Sequence, residues 1–178
     1  MPTTEANDRV QLVFSLFDAD GNGVLEADDF ELMGKRVVAA VPEAGDTARD
    51  RLLDAFRGYW ETLVRELDTD GDGRISPEEF TAVVLAPERF HATADAFADA
   101  LAALGDPDGD GLVERGHFTA LMTAIGFRRP NIDALFDAFG PVDGDRVPTA
   151  VWADGIRDYY RPEKAGIPGD HLTAGTAR

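Results

Sequence analysis

Apolar residues recur at helical spacing along most of the chain. Val10, Val13, Phe14 and Phe17 share one face of a helix, and Leu32, Arg36, Val37 and Val41 continue the period after a polar gap. Leu53, Phe56, Trp60, Leu63 and Leu67 step by three and four, the stripe of a longer helix turned to a core. From Pro42 to Asp50 the chain is rich in Pro, Gly and acids, a break after which Asp46 or Thr47 is placed to cap the next helix. Pro87, Pro130 and Pro148 each stand where one helix should stop or another start. No alternating run is long enough for a substantial sheet. The pattern therefore predicts an all-α fold with only short strand-like pairs.

The polar gaps between the helical stretches repeat. They read Asp18-Ala-Asp20-Gly-Asn22-Gly23, Asp68-Thr-Asp70-Gly-Asp72-Gly73 and Asp106-Pro-Asp108-Gly-Asp110-Gly111. Two residues after each closing glycine stands an aliphatic residue, Leu25, Ile75 or Val113, and seven after it a phenylalanine, Phe30, Phe80 or Phe118. The same frame finds a fourth copy with Val147 and Trp152 in those places. Four units tile the chain.

Acids at alternate positions around a glycine suit a hard divalent cation. Ca²⁺ takes oxygen ligands from the first, third, fifth, seventh, ninth and twelfth positions of a twelve-residue loop, with a glycine at the sixth for the turn. The second loop, Asp68 to Glu79, fits throughout: Asp68, Asp70, Asp72, the Arg74 carbonyl, Ser76 and a bidentate Glu79. The first loop offers Asp18, Asp20, Asn22, the Val24 carbonyl and Glu26, and ends on Asp29, whose shorter side chain favours six-coordination and admits Mg²⁺ more readily. The third offers Asp106, Asp108, Asp110, the Leu112 carbonyl and Glu114, but His117 holds the twelfth place, and an imidazole nitrogen is a poor ligand for a hard ion. Gly105 and Pro107 make its incoming helix stop early or bend. The fourth loop, Gly140 to Val151, keeps no ligand set, although Asp143 and Asp145 remain in it. Two Ca²⁺ sites are expected to fill, the third to be weaker, and Mg²⁺ to compete mainly at the first.

Charge agrees with this reading. Lys and Arg number 17 against 34 Asp and Glu in 178 residues, a net charge of −17 that repels nucleic-acid phosphates. With 44% hydrophobic residues the chain is too apolar for a disordered acidic tail. Fourteen of the acids lie inside the first three loops, and three divalent ions would bring −17 to −11. There is no cysteine, so disulfides and thiolate sites are excluded. Residues 1–10 are polar and give no secretory apolar segment, and no apolar run reaches the length of a membrane span. The expectation is a monomeric cytoplasmic protein. Lys35 and Lys164 are the only lysines, an Arg-rich bias that resembles a high-GC bacterial coding.

These loops and their helical flanks resemble the EF-hand proteins throughout the chain. Loop starts at 18, 68, 106 and 140 leave intervals of 50, 38 and 34, and the long first interval resembles the sarcoplasmic calcium-binding proteins and the bacterial calerythrin group. Asp29 closing the first loop is similar to that group, and Asp158 to Tyr160 followed by Gly166 to Leu172 resembles the ending with which many of its members fold back over their core. The resemblance implies four helix-loop-helix units in two pairs packed into one compact domain. The pairs would span residues 1–90 and 91–162, with a folded-back tail at 163–178, and would be bridged by Leu25 with Ile75 and Val113 with Val147.

Function follows as an expectation: a calcium buffer or transporter that calcium stabilises. A sensor that opens a groove for a target protein would call for a Met-rich surface, and only Met33 and Met122 lie beyond the first residue. A photoprotein-like carrier of a small ligand would group His, Tyr and Trp around a cavity, and the histidines are His91, His117 and His171. His91 reads as a helix-surface residue and His171 as a tail contact. No nucleophile-base arrangement or phosphate-cradling loop indicates an enzyme.

Overall fold

Helices form where the apolar period predicts them. The computed structural model describes residues 2–67, 73–142 and 144–174. It contains α1 (Thr4–Phe17), α2 (Ala27–Ala39), α3 (Asp46–Leu67), α4 (Pro77–Val84), α5 (Pro87–Leu104), α6 (Arg115–Ile125), α7 (Arg129–Ala138) and α8 (Thr149–Tyr159), with a 3-10 turn at Pro168–Thr173. The starts have local causes. Thr3 caps α1 by accepting from the Ala6 N–H, Ser76 and Glu79 cap α4 reciprocally, and Pro77, Pro87 and Pro130 sit in first turns where a missing N–H costs nothing. α3 begins at Asp46 itself, so that acid lies in the first turn, and the break is shorter than the sequence suggested.

The buried face of α3 is turned from the predicted one. Leu52, Phe56, Tyr59 and Leu63 are its buried apolar residues, while Leu53, Trp60 and Leu67 are only half-buried. The rotation places Tyr59 at the aromatic centre, 5.5 Å from Phe17, 4.9 Å from Phe90 and 5.7 Å from Phe97 between ring centroids. On α2 the core positions are Phe30, Met33, Gly34 and Val37; Leu32 is 48% exposed and Arg36 faces solvent. α3 packs on α2 and α5, and α5 on α8, so one continuous core joins the two halves.

Two small antiparallel contacts tie the loops together. Leu25 and Ile75 exchange N–H···O bonds of 2.8 and 2.9 Å, and β1 (Leu112–Glu114) pairs with β2 (Arg146–Pro148) so that Val113 faces Val147. These are the aliphatic residues singled out by the repeat.

The tail folds back, as the resemblance implied. Arg9 of α1, fully buried, donates to the carbonyls of Tyr159 at 2.9 Å, Arg161 at 3.0 Å and Lys164 at 3.2 Å and to the Asp170 carboxylate at 2.7 Å. The Tyr159 hydroxyl donates to the Arg9 carbonyl at 2.9 Å, and Asn131 of α7 donates to the carbonyls of Leu172 and Ala174. A buried guanidinium survives only when its donors are matched in this way.

Candidate metal centres

The first loop is turned by glycines in the left-handed region, Gly21 at φ 69° and Gly23 at φ 87°. Asp18 accepts from the N–H groups of Asn22 at 3.2 Å and Gly23 at 2.8 Å, and Asn22 accepts from Val24 at 3.1 Å while its amide donates to Glu26 at 2.8 Å. Asp29, only 4% exposed, accepts from Ala19 at 3.1 Å and Glu26 at 2.9 Å. Carboxylate oxygens of Asp18, Asp20 and Asp29 come within 4.8 Å of one another. Burial, reinforced by Asp20 and Asp18, raises the Asp29 carboxyl above its ordinary value despite the two N–H donors. Crowded carboxylates of this kind are relieved by a divalent cation.

The third loop repeats this geometry. Gly109 and Gly111 take φ 69° and 82°, and Asp106 accepts from Asp110 at 3.2 Å and Gly111 at 2.9 Å. Asp110 accepts from Leu112 at 2.8 Å, and oxygens of Asp106, Asp108 and Asp110 again lie within 4.8 Å of one another. Desolvation and the neighbouring acids raise the Asp106 carboxyl, while the Asp110 N–H holds that of Asp108 low. The twelfth position does not join the cluster. His117 Nε2 instead contacts Glu43 in the α2–α3 connection, and Glu43 is held low by its own backbone N–H and by His117. Glu114 is exposed. α5 stops at Leu104 and is capped by Gly105, one residue sooner than α1. A Cβ on Gly105 would lie 2.7 Å from the Trp152 ring, which explains the glycine at this position.

Of the second loop, Asp68, Asp70 and Asp72 lie outside the described residues. Its outgoing half matches that of the first loop: Glu79 accepts from the Ser76 N–H at 2.9 Å, as Asp29 does from Glu26. Arg74 stands 4.0 Å from the Glu26 carboxylate.

In the fourth loop a protein cation takes up Asp145. Asp143 lies outside the described residues. Asp145, at φ 60°, holds the sixth place that glycine holds in the other loops. Arg115 of the third loop pairs with Asp145 and Asp137, reaches Asp133 at 3.4 Å, and lies 4.5 Å over the Phe136 ring. The pairing holds the Asp145 carboxyl low and the guanidinium firmly charged. Arg115, Arg146, Glu43 and Arg9 were not singled out in the sequence. The available signal was the presence of Arg74, Arg115 and Arg146 inside the loops.

The comparisons agree with this geometry. The family profile described as an EF-hand domain pair matches residues 7–85. Calerythrin of Saccharopolyspora erythraea is 36% identical over 84 residues, covering 47% of this chain and 48% of calerythrin, so the match spans about half of that relative. Troponin C of Tyrophagus putrescentiae is 32% identical, with 44% of this chain and 67% of troponin C covered. Among solved structures, a Streptomyces coelicolor calcium-binding protein, described in connection with prokaryotic calcium-mediated regulation, superposes with a TM-score of 0.70 and 28% identity over 89% of this chain and 99% of its own. The photoprotein clytin superposes at 0.74 with 12% identity over 97% and 94%, a likeness of fold alone. With the matched pair of units, the repeated loops and the helical frame, the chain belongs to the EF-hand family.

Proposed function

We propose that this protein is a calcium buffer: a binding protein, not an enzyme, that takes up Ca²⁺ at its acidic loops and closes more firmly as it does so. The observation that carries this is the convergence of Asp18, Asp20 and Asp29, repeated by Asp106, Asp108 and Asp110, on backbone turned for oxygen ligation. Asn22, the Val24 carbonyl and Glu26 would complete the first site, and the Leu112 carbonyl and Glu114 the third. Asp68, Asp70, Asp72, the Arg74 carbonyl, Ser76 and Glu79 would form the second. Mg²⁺ would compete chiefly at the first. A cysteine-free chain suits a reducing compartment, and we place the protein in the cytoplasm as a monomer.

Features of the core favour a buffer over a sensor. Met33 and Met122 are buried at 0% and 4% exposure, and the folded-back tail is latched by Arg9. A carrier of a small organic ligand has less support. The apolar cavity between Phe17, Phe97, Trp152 and Tyr159 measures about 60 Å³ and is lined by no histidine, whereas such pockets usually hold about 300–1,000 Å³.

The test is a hydrophobic dye and a melting curve. Ca²⁺ should raise the melting temperature, since an ion bound only by the folded state stabilises it by about 2.7 kcal/mol per site at a hundredfold excess over Kd. ANS fluorescence should be no higher with Ca²⁺ than without. A large Ca²⁺-dependent dye signal, with a target helix retained only in Ca²⁺, would replace the buffer by a sensor.

A further inference from the structure

The two loops of the C-terminal half exchange arginines. Arg115 leaves the third loop for Asp145 of the fourth and for Asp133 and Asp137 of α7, and Arg146 leaves the fourth for the third. β1 and β2 are registered with Glu114 opposite Arg146, and Arg146 Nη1 lies 3.4 Å from the Asp110 carboxylate. The side chain crosses Gly144, where a Cβ would approach its Nε to 3.2 Å, so the glycine leaves the arginine its path. Asp110 and Glu114 are the fifth and ninth positions of the third loop, two of its oxygen donors. A guanidinium does not deprotonate in a protein, so this charge is permanent.

We infer that Arg146 sets the cation affinity of the third loop: it is a tethered positive charge that an incoming divalent ion must displace from Asp110 and then bind beside. The inference rests on the reading of residues 106–117 as a calcium site. Both partners are about a third exposed, with side-chain values of 31% for Arg146 and 36% for Asp110, so water and salt screen the repulsion and keep it modest. Removing the charge should tighten the loop about three- to tenfold, the scale of a charge interaction at several ångströms in a high dielectric. Arg74 occupies the corresponding place in the second loop but stands 4.0 Å from Glu26 of the first, so its counterpart effect should be smaller.

The experiment is a Ca²⁺ titration of the full chain followed by the backbone amide resonance of Gly111. That N–H donates to Asp106 at 2.9 Å and reports the third loop, while the Gly23 N–H on Asp18 reports the first. Arg146→Gln removes the charge and keeps a polar side chain; Arg146→Lys keeps the charge. The Gln variant should shift the Gly111 midpoint about three- to tenfold lower, the Lys variant should stay within about twofold of the native chain, and molar salt should shrink the difference. An unchanged midpoint in the Gln variant would overturn the inference, as would a Lys variant that tightens equally, because shape and not charge would then be responsible. If Gly111 ignores Ca²⁺ in all three chains while Gly23 responds, the third loop is not a site and the inference falls with it. Silence at Gly23 and at Gly73 of the second loop as well would remove the calcium reading itself.

Discussion

The first and third loops share their opening turn and part at their close. In both, the leading aspartate accepts from the fifth and sixth N–H groups, and the fifth residue accepts from the seventh. At the twelfth position Asp29 turns inward onto Ala19 and Glu26, whereas His117 turns outward to Glu43. The turn is therefore set by the Asp and Gly pattern alone, and closure depends on one residue of the outgoing helix. A chain can keep the shape of a cation loop while losing its strongest ligand.

The largest way to break this contrast is to restore that ligand. His117→Glu places a carboxylate where Glu43 repels it, which favours its turning toward the loop. Ca²⁺ affinity of the third loop should rise at least about tenfold, the weight of one strong charged contact. Calorimetry on the native and variant chains checks this. An unchanged affinity would assign the weakness to the early stop of α5 at Gly105.

A smaller effect is expected beside the fourth loop, where Arg115 pairs with Asp145 and with Asp137 of α7. Arg115→Met leaves the carboxylates of Asp137 and Asp145 without their guanidinium and should lower the melting temperature by about 2–4 °C, with or without Ca²⁺. Thermal unfolding followed by circular dichroism measures it. No change would mean that these exposed pairs contribute little, as surface ion pairs often do.

The smallest effect concerns pH in the absence of calcium. Asp29 and Asp106 have carboxyls raised above 3.8, so the folded chain holds protons there more tightly than the unfolded chain. Their contribution to stability is present at low pH and is lost as pH rises through the raised values. The ion-free protein should therefore lose melting temperature as pH rises from the acidic range toward neutrality, helped by the growing net charge. Saturating Ca²⁺ should reverse the trend, because protons and ions compete for the same oxygens. The two melting series settle the sign.

Much of this was legible in the sequence, for identifiable reasons. Helical period, proline positions and the Asp-Gly repeats report local geometry, so the elements, the pairing of Leu25 with Ile75 and the loop turns followed from them. The face of α3 did not, because Leu53 and Trp60 keep the period as well as Leu52 and Tyr59 do, and only the rings of Phe17, Phe90 and Phe97 decide between them. Gly105 reads in the sequence only as a helix stop, because the Trp152 ring that leaves no room for a side chain there comes from a distant helix. Arg9, Arg115 and Arg146 were hidden because a charged residue in a polar gap or on a helix reads as solvated, and their partners lie far away in the chain.

The central claim is that the loops take up Ca²⁺ in an order set by their twelfth residue: Glu79 first, Asp29 next, His117 last. A calorimetric Ca²⁺ titration of the native chain and of Glu79→Gln, each with and without millimolar Mg²⁺, tests it most directly. Gln keeps the size of Glu but removes a charge and an acceptor from the bidentate ligand. The account predicts that the tightest binding event is lost or markedly weakened in the variant, and that Mg²⁺ weakens chiefly the event belonging to the first loop. An isotherm untouched by Glu79→Gln but weakened by Asp145→Asn would contradict it.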